Sequence, residues 1–155
     1  MSHAPEFRLV PVASLHPHEM VDEKDVEQLT QTLGASGLLE EPIWVSDQDG
    51  VILNGHHRFA ALKRLGARRI PAWVIDYSDP AMKLGRWSPG PPLEKPEVLR
   101  RGRAGSLFPP KTSRHVWRGP ALAPHPTTIA ELQADGPEPG PVSVSRERVR
   151  PDGAR

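Results

Sequence analysis

The chain has 155 residues, 37% of them hydrophobic, with a formal net charge of +1, 19 prolines, 13 glycines and no cysteine. That length suits one compact domain with a core of its own and a tail, and a charge near zero gives no global attraction to nucleic acid, so a nucleic-acid partner is not expected. The missing cysteine excludes disulfides, thiolate zinc sites and thiol catalysis.

In chain order, Phe7 to Leu15 alternates weakly and ends in His16-Pro17, which predicts a short strand or extended segment. Val26, Leu29 and Leu33 recur at helical spacing, with Asp22 placed to cap the helix and Gly34 and Gly37 to close it. Ile43-Trp44-Val45 reads as a strand, Asp47 to Gly50 as a hairpin-like turn, and Val51 to Leu53 as the returning strand. A second helix is expected from about Gly55 to Leu65, burying Phe59, Leu62 and Leu65 and stopping at Gly66. Ile70 to Tyr77 is a third strand, placed near an edge because it contains Pro71. Pro80 to Leu84 is read as one helical turn, Gly85 to Pro92 as a loop, and Glu94 to Arg101 as a helix with Pro96 in its first turn. Leu107 to His115 crowds prolines, hydroxyls and cationic side chains together. From about Arg118 large apolar residues become rare, which predicts a disordered tail with at most a transient helix at Thr127 to Gln133.

The stretch Val51 to Leu62 carries the chemistry. It reads as a buried strand, a glycine turn at Gly55, and a helix whose first turn holds His56, His57 and Arg58. Helix starts leave backbone N–H groups unpaired and carry the positive end of the macrodipole, so the natural guest is a phosphate. Gly55 lets the backbone approach closely and Arg58 can hold two oxygens at once. The plainer reading is a simple turn with one histidine serving as a buried donor. Zinc ligation by the histidine pair is disfavoured, because neighbours on a helix diverge by about 100 degrees and no third ligand stands at matching spacing. No apolar run reaches bilayer-spanning length and Met1 to Glu6 has neither a basic nor an apolar region, which makes a cytoplasmic location the default.

Leu38-Leu39 with Pro42-Ile43, followed by Gly55-His56-His57-Arg58 opening a helix, resembles the ParB/sulfiredoxin superfamily. Three blocks in this order, His18-Glu19, Asn54 to Arg58, and Phe108-Pro109-Pro110-Lys111-Thr112-Ser113-Arg114-His115, narrow the resemblance to free L-serine kinases of the SerK and SbnI type. The resemblance implies an α+β fold: a small mixed-sheet domain with helices over residues 7–117, followed by an irregular segment, 118–155. It also implies transfer of phosphate from ATP or ADP, with Mg2+, to the hydroxyl of free serine, giving O-phospho-L-serine. L-Serine and a nucleotide are then the partners, with no membrane involved. By the same resemblance Glu19 is the general base and Asn54 stands at the second catalytic position, where the kinases carry aspartate. Gly55, His56, His57 and Arg58 would bind the phosphates. Lys111, Thr112, Ser113, Arg114 and His115 would close over the amino acid and the transferring phosphate, and Trp87 would wall the pocket.

Each assignment has a plainer counterpart. Glu19 could be a solvated acid near a helix start, Lys111 to His115 a basic surface loop, and Trp87 a core plug. Asn54 keeps the shape and one oxygen of the aspartate but not its charge, which leaves Mg2+ to phosphates, water and another acid such as Asp76 or Asp49. The alternative function is a non-catalytic ParB-like module that binds CTP or ATP and regulates a partner or DNA. Against it, the proline-rich segment offers no helix-turn-helix pattern. Sulfiredoxin-type reduction needs a cysteine nucleophile and is excluded.

Overall fold

The computed structural model describes residues 3–134. Its central sheet holds four strands in the order β1 (Glu6–Pro11), β5 (Arg69–Ile75), β3 (Ile43–Ser46), β4 (Ile52–Asn54). β1 runs antiparallel to β5, β5 parallel to β3, and β3 antiparallel to β4. The helices α1 (Glu23–Ser36), α2 (His56–Arg64), α3 (Lys95–Ala104) and α4 (Ile129–Gln133) complete an α+β fold, together with the short strands β2 (Leu38–Leu39), β6 (Met82–Arg86), β7 (Ser113–Trp117) and β8 (Thr127–Thr128).

Period-two alternation explains how the sheet separates two cores. Ile70, Ala72 and Val74 of β5 and Ile52 of β4 face one cluster, built with Leu33 of α1 and Phe59, Ala61 and Leu62 of α2. Trp73 and Ile75 of β5, Leu53 of β4 and Val51 just before it face the other, with Met82 of β6, Val98 of α3 and Phe108. Both strands are therefore covered on both faces. Gly102 of α3 sits so close to the strand that a Cβ there would lie 2.8 Å from Val51 Cγ1 and Cγ2, so only glycine lets this helix dock.

Local signals set the element ends that matter for the site. The Asp22 carboxylate caps α1 by accepting from the N–H groups of Lys24 and Asp25, and Gly37 ends it at φ 70°. Gly34 lies inside α1 rather than closing it. Asp49 and Gly50 both take positive φ, 64° and 60°, in the tight turn joining β3 to β4. Gly55 adopts φ 110° at the start of α2, where a Cβ would stand 2.5 Å from Ile43 Cγ2.

Four expectations are corrected. β5 is an interior strand, not an edge: its ladder to β3 begins at Ala72, one residue beyond Pro71, so the residue without an N–H precedes the parallel pairing. Pro80 to Leu84 is not a helical turn, because Met82 to Arg86 forms β6 and pairs antiparallel with β7. Lys111 to His115 is only in part a loop, since Ser113 to His115 open β7. The tail does not begin at Arg118. β8 pairs with β2, α4 follows at once, and Ile129 and Leu132 are buried in the first core. The Arg68 N–H donates to the Leu132 carbonyl at 2.8 Å, and the Gln133 amide to Leu65 O at 2.6 Å. Two well-placed apolar side chains and a strand partner supplied from elsewhere suffice to order a polar, proline-rich segment. The remainder of the predicted tail, 135–155, lies outside the described residues. Among those described, no helix is long and apolar enough to cross a membrane.

Candidate active site

β4 ends the central sheet, and the segment after β1 runs along its free edge. The His16 N–H donates to Gly50 O and the Ile52 N–H donates to His16 O, each at 2.9 Å. Two residues on, the Phe108 N–H donates to His18 O at 2.9 Å and the Met20 N–H donates to Phe108 O at 2.8 Å. Glu19 is thus clamped between β4 and the strand-like stretch at Phe108, whose continuation is Lys111 to Ser113.

Glu19 is 8% exposed, and both carboxylate oxygens are engaged. Oε1 accepts from the Lys111 N–H at 3.0 Å; Oε2 accepts from the Ser113 N–H at 2.7 Å and lies 2.5 Å from Ser113 Oγ. Backbone donors hold an ionised carboxylate better than a neutral one. Lys111 takes a left-handed φ of 59°, and its ammonium reaches out to Asp25 on α1 at 3.5 Å. The Thr112 hydroxyl donates to Pro109 O at 2.8 Å. Arg114 is exposed and lays its guanidinium over the Trp87 ring, 4.9 Å from the centroid. Trp87 is 64% exposed, so the core-plug alternative fails, and its backbone N–H donates to Thr112 O.

The start of α2 faces the same segment. It has no side-chain cap, so its first N–H groups remain open to an anion. His56 Nε2 accepts from the His18 N–H and His57 Nε2 from the Asp22 N–H, each at 3.1 Å. Both rings are therefore neutral with the hydrogen on Nδ1, and both tie α2 to the Glu19 segment. Burial holds His56 well below the ordinary histidine range, and its neighbours His18, His115 and His57 push the same way. Arg58 donates through Nη1 to the carbonyls of Glu41 and Pro42, at 2.9 and 3.0 Å, and through Nη2 to Asn54 Oδ1 at 3.3 Å. These bonds commit three of its five donors. Burial lowers the Arg58 pKa, and Glu41 partly opposes this.

The structure therefore brings together Glu19, the start of α2 and the segment Lys111 to Ser113. His115 lies in a different layer of the site. It is buried beneath the segment, with Nε2 2.7 Å from the Tyr77 hydroxyl, and burial pushes its pKa down to about 3. Burial raises the Tyr77 pKa. His115 is thus too deep to close over a substrate. His18, fully buried, and Tyr77, nearly so, also belong to this layer, and neither carries a local sequence signal for it. Nothing in a sequence says that a histidine next to a glutamate faces inward.

Among the described residues no three His, Asp or Glu side chains gather to hold a metal ion. The acids offered for Mg2+ are spent elsewhere: Asp49 on Arg103 at 2.8 Å, and Asp76 on the N–H and hydroxyl of Ser78. Asn54 spends its oxygen on Arg58. These residues do not build a magnesium site of their own.

The ParB N-terminal domain family matches residues 2–84, which is more than half of the chain and includes Glu19 and the start of α2. The chain belongs to that family. It is also similar to an ATP-dependent L-serine kinase of Staphylothermus marinus, 36% identical over 85 residues that make up 52% of this chain and 34% of that one. An ADP-dependent L-serine kinase, SerK of Thermococcus kodakarensis, is 29% identical over 62% of this chain and 41% of its own length. The chain thus spans about two fifths or less of these relatives. Among solved structures, a free serine kinase in complex with AMP matches with a TM-score of 0.71 at 17% identity, over 83% of this chain and 93% of that one. SbnI with a C-terminal truncation, from Staphylococcus aureus, matches with a TM-score of 0.71 at 15% identity, over 83% and 90%. At such identities the likeness is one of fold.

Proposed function

We propose that this chain is a free L-serine kinase that transfers a phosphoryl group from ATP or ADP to the serine hydroxyl, giving O-phospho-L-serine. The observation that carries the reading is a buried Glu19 carboxylate fixed by Lys111 and Ser113 beside the uncapped start of α2. The names of the relatives, L-serine kinases using ATP or ADP, support the same chemistry.

Phosphoryl transfer depends on positioning and charge neutralisation, and on a place for the hydroxyl proton. In this reading the first N–H groups of α2 receive the transferring polyphosphate. Asn54, His56 and Arg58 shape that turn, and His57 offers its Nδ1 hydrogen. Glu19 takes the proton of the serine hydroxyl as its oxygen attacks phosphorus. Lys111 and Arg114, cationic and exposed, suit the substrate carboxylate and phosphate, with Thr112 setting the Lys111 turn and Trp87 bracing Arg114. Magnesium would arrive with the nucleotide, held by phosphate oxygens and water.

Incubating the chain with ATP or ADP, Mg2+ and L-serine is expected to yield phosphoserine, read by phosphorus NMR or mass spectrometry. Glu19→Gln should cut the rate by about 10²–10⁴-fold, the usual worth of a general base, while ADP still raises the melting temperature. Absence of product with both nucleotides overturns the reading. A melting shift with CTP alone, indifferent to serine, would point instead to a ParB-like regulatory module.

A further inference from the structure

Two short contacts meet at the Ser113 hydroxyl, and only one hydrogen is available to fill them. Its oxygen lies 2.5 Å from Glu19 Oε2 and 2.8 Å from His18 Nε2. His18 Nδ1 lies 2.7 Å from the Ile52 carbonyl, which can only accept. The hydrogen of a neutral His18 is therefore on Nδ1, and Nε2 is a bare acceptor. An ionised Glu19 is also acceptor-only. Ser113 must then choose between them, and the contact left over sets two lone pairs against each other in a place where His18 is fully buried and Ser113 nearly so. One more proton, on His18 Nε2 or on Glu19 Oε2, completes both hydrogen bonds.

We propose that Ser113 and His18 are positioning residues for the Glu19 base: Ser113 donates to the ionised Oε2, and a neutral His18 Nε2 gives that hydrogen a second acceptor, so that Oε2 can release it and take the proton of the substrate hydroxyl. This rests on the kinase reading and deepens it. The substrate O–H bond breaks, its hydrogen bonds to Glu19 Oε2, and its electron pair forms the new O–P bond as the bond from phosphorus to the departing nucleotide breaks. The carboxyl hydrogen so gained then donates to Ser113 Oγ, while Ser113 donates to His18 Nε2, and every contact in the chain is filled. When His18 is instead protonated, its Nε2 hydrogen faces Ser113 Oγ, the Ser113 hydrogen is directed to Glu19, and the base is occupied.

The titratable groups that face His18 are Glu19 on its own segment, His56 on α2 at 4.6 Å between ring centroids, and His115 on β7 at 5.8 Å. The Ile52 carbonyl and the Phe108 ring complete its surroundings. Burial lowers the His18 pKa and outweighs the Glu19 charge and the Ile52 carbonyl, which raise it, so the ring is held neutral.

The test combines the pH profile of turnover with an NMR titration of the His18 ring in the same chain. In the wild type the acid limb of kcat should coincide with the His18 titration, and Glu19→Gln should move that titration to lower pH. Ser113→Ala should lower kcat about tenfold, the worth of one hydrogen bond to a charged group. It should also uncouple the profile from His18 and leave the nucleotide KM unchanged. Ser113→Thr, which keeps the hydroxyl, should restore both. An unchanged profile in Ser113→Ala, or no rescue by Ser113→Thr, overturns the proposal. If the wild type makes no phosphoserine the kinase reading fails by itself, and the titration alone decides on the trio: a His18 pKa indifferent to Glu19→Gln refutes it.

Discussion

Lowering the pH should unfold this chain through its buried histidines. His56 and His115 are held neutral in the folded state, the first well below the ordinary value of 6.5 and the second at about 3. The cause in both is burial, reinforced by neighbouring cationic or imidazole groups. In the unfolded chain both would protonate near 6.5. Below that pH the unfolded state binds more protons, so the stability these rings confer is complete above 6.5 and is lost as the pH falls toward their folded values. Each group that stays neutral through that window costs about 1.4 kcal/mol per pH unit. For His115 alone the loss between pH 6.5 and 4.5 is about 2–3 kcal/mol, a large share of the roughly 5–15 kcal/mol of a small domain, and His56 and His18 add to it in the same direction. Urea unfolding followed by circular dichroism at pH 7.5, 6.5, 5.5 and 4.5 measures it. With a urea slope of about 2 kcal/mol per M the midpoint should fall by at least about 0.7 M per pH unit below 6.5. His115→Gln keeps a hydrogen-bonding partner for the Tyr77 hydroxyl but cannot titrate, so it should make that dependence shallower whatever it does to the midpoint at pH 7.5. A midpoint flat from 6.5 to 4.5, or an equal slope in the variant, would refute the reasoning.

Gly55→Ala should cost about 1–3 kcal/mol from overpacking, because its Cβ would meet Ile43 at 2.5 Å on a backbone with φ 110°; the readouts are the melting temperature and loss of the nucleotide-induced shift. Leu132→Ala empties a fully buried position contributed by the segment after Arg118. It should cost about 2–5 kcal/mol in chemical denaturation, whereas a change within the noise would mean that α4 is not part of the core.

The relatives' names concern chains of which this one spans about two fifths or less, yet the three blocks that carry the resemblance are all present here and meet in space. The turn at Gly55 leaves the start of α2 without a side-chain cap, and Glu19 comes to it from a segment more than thirty residues earlier. Its two backbone donors, Lys111 and Ser113, come from more than ninety residues later. That arrangement makes the Glu19 carboxylate sensitive to packing far along the chain, in particular to the histidine clamp between α2 and the Glu19 segment.

The sequence alone determined the elements whose signals are local. Apolar periodicity and the Asp22 cap wrote α1, Asp49-Gly50 wrote the turn between β3 and β4, and Gly55 with His56 to Arg58 wrote the junction where α2 begins. Of the candidate site, only the turn and helix start at Gly55 to Arg58 were legible from near neighbours; Glu19 and Lys111 to His115 were singled out by the family resemblance of their short blocks. Tertiary structure decided everything that depends on a partner distant in the chain. Met82 to Arg86 became a strand because β7 lies alongside it, Pro71 sits in an interior strand because the parallel ladder starts one residue later, and residues 127–133 are ordered because β2 and the first core accept them. Long-range pairing also turned His56 and His57 into acceptors for backbone N–H groups and sealed His18 behind Ser113. A hydrogen bond needs both partners at a fixed distance, and only the folded chain sets the distance between residues 18, 56 and 113.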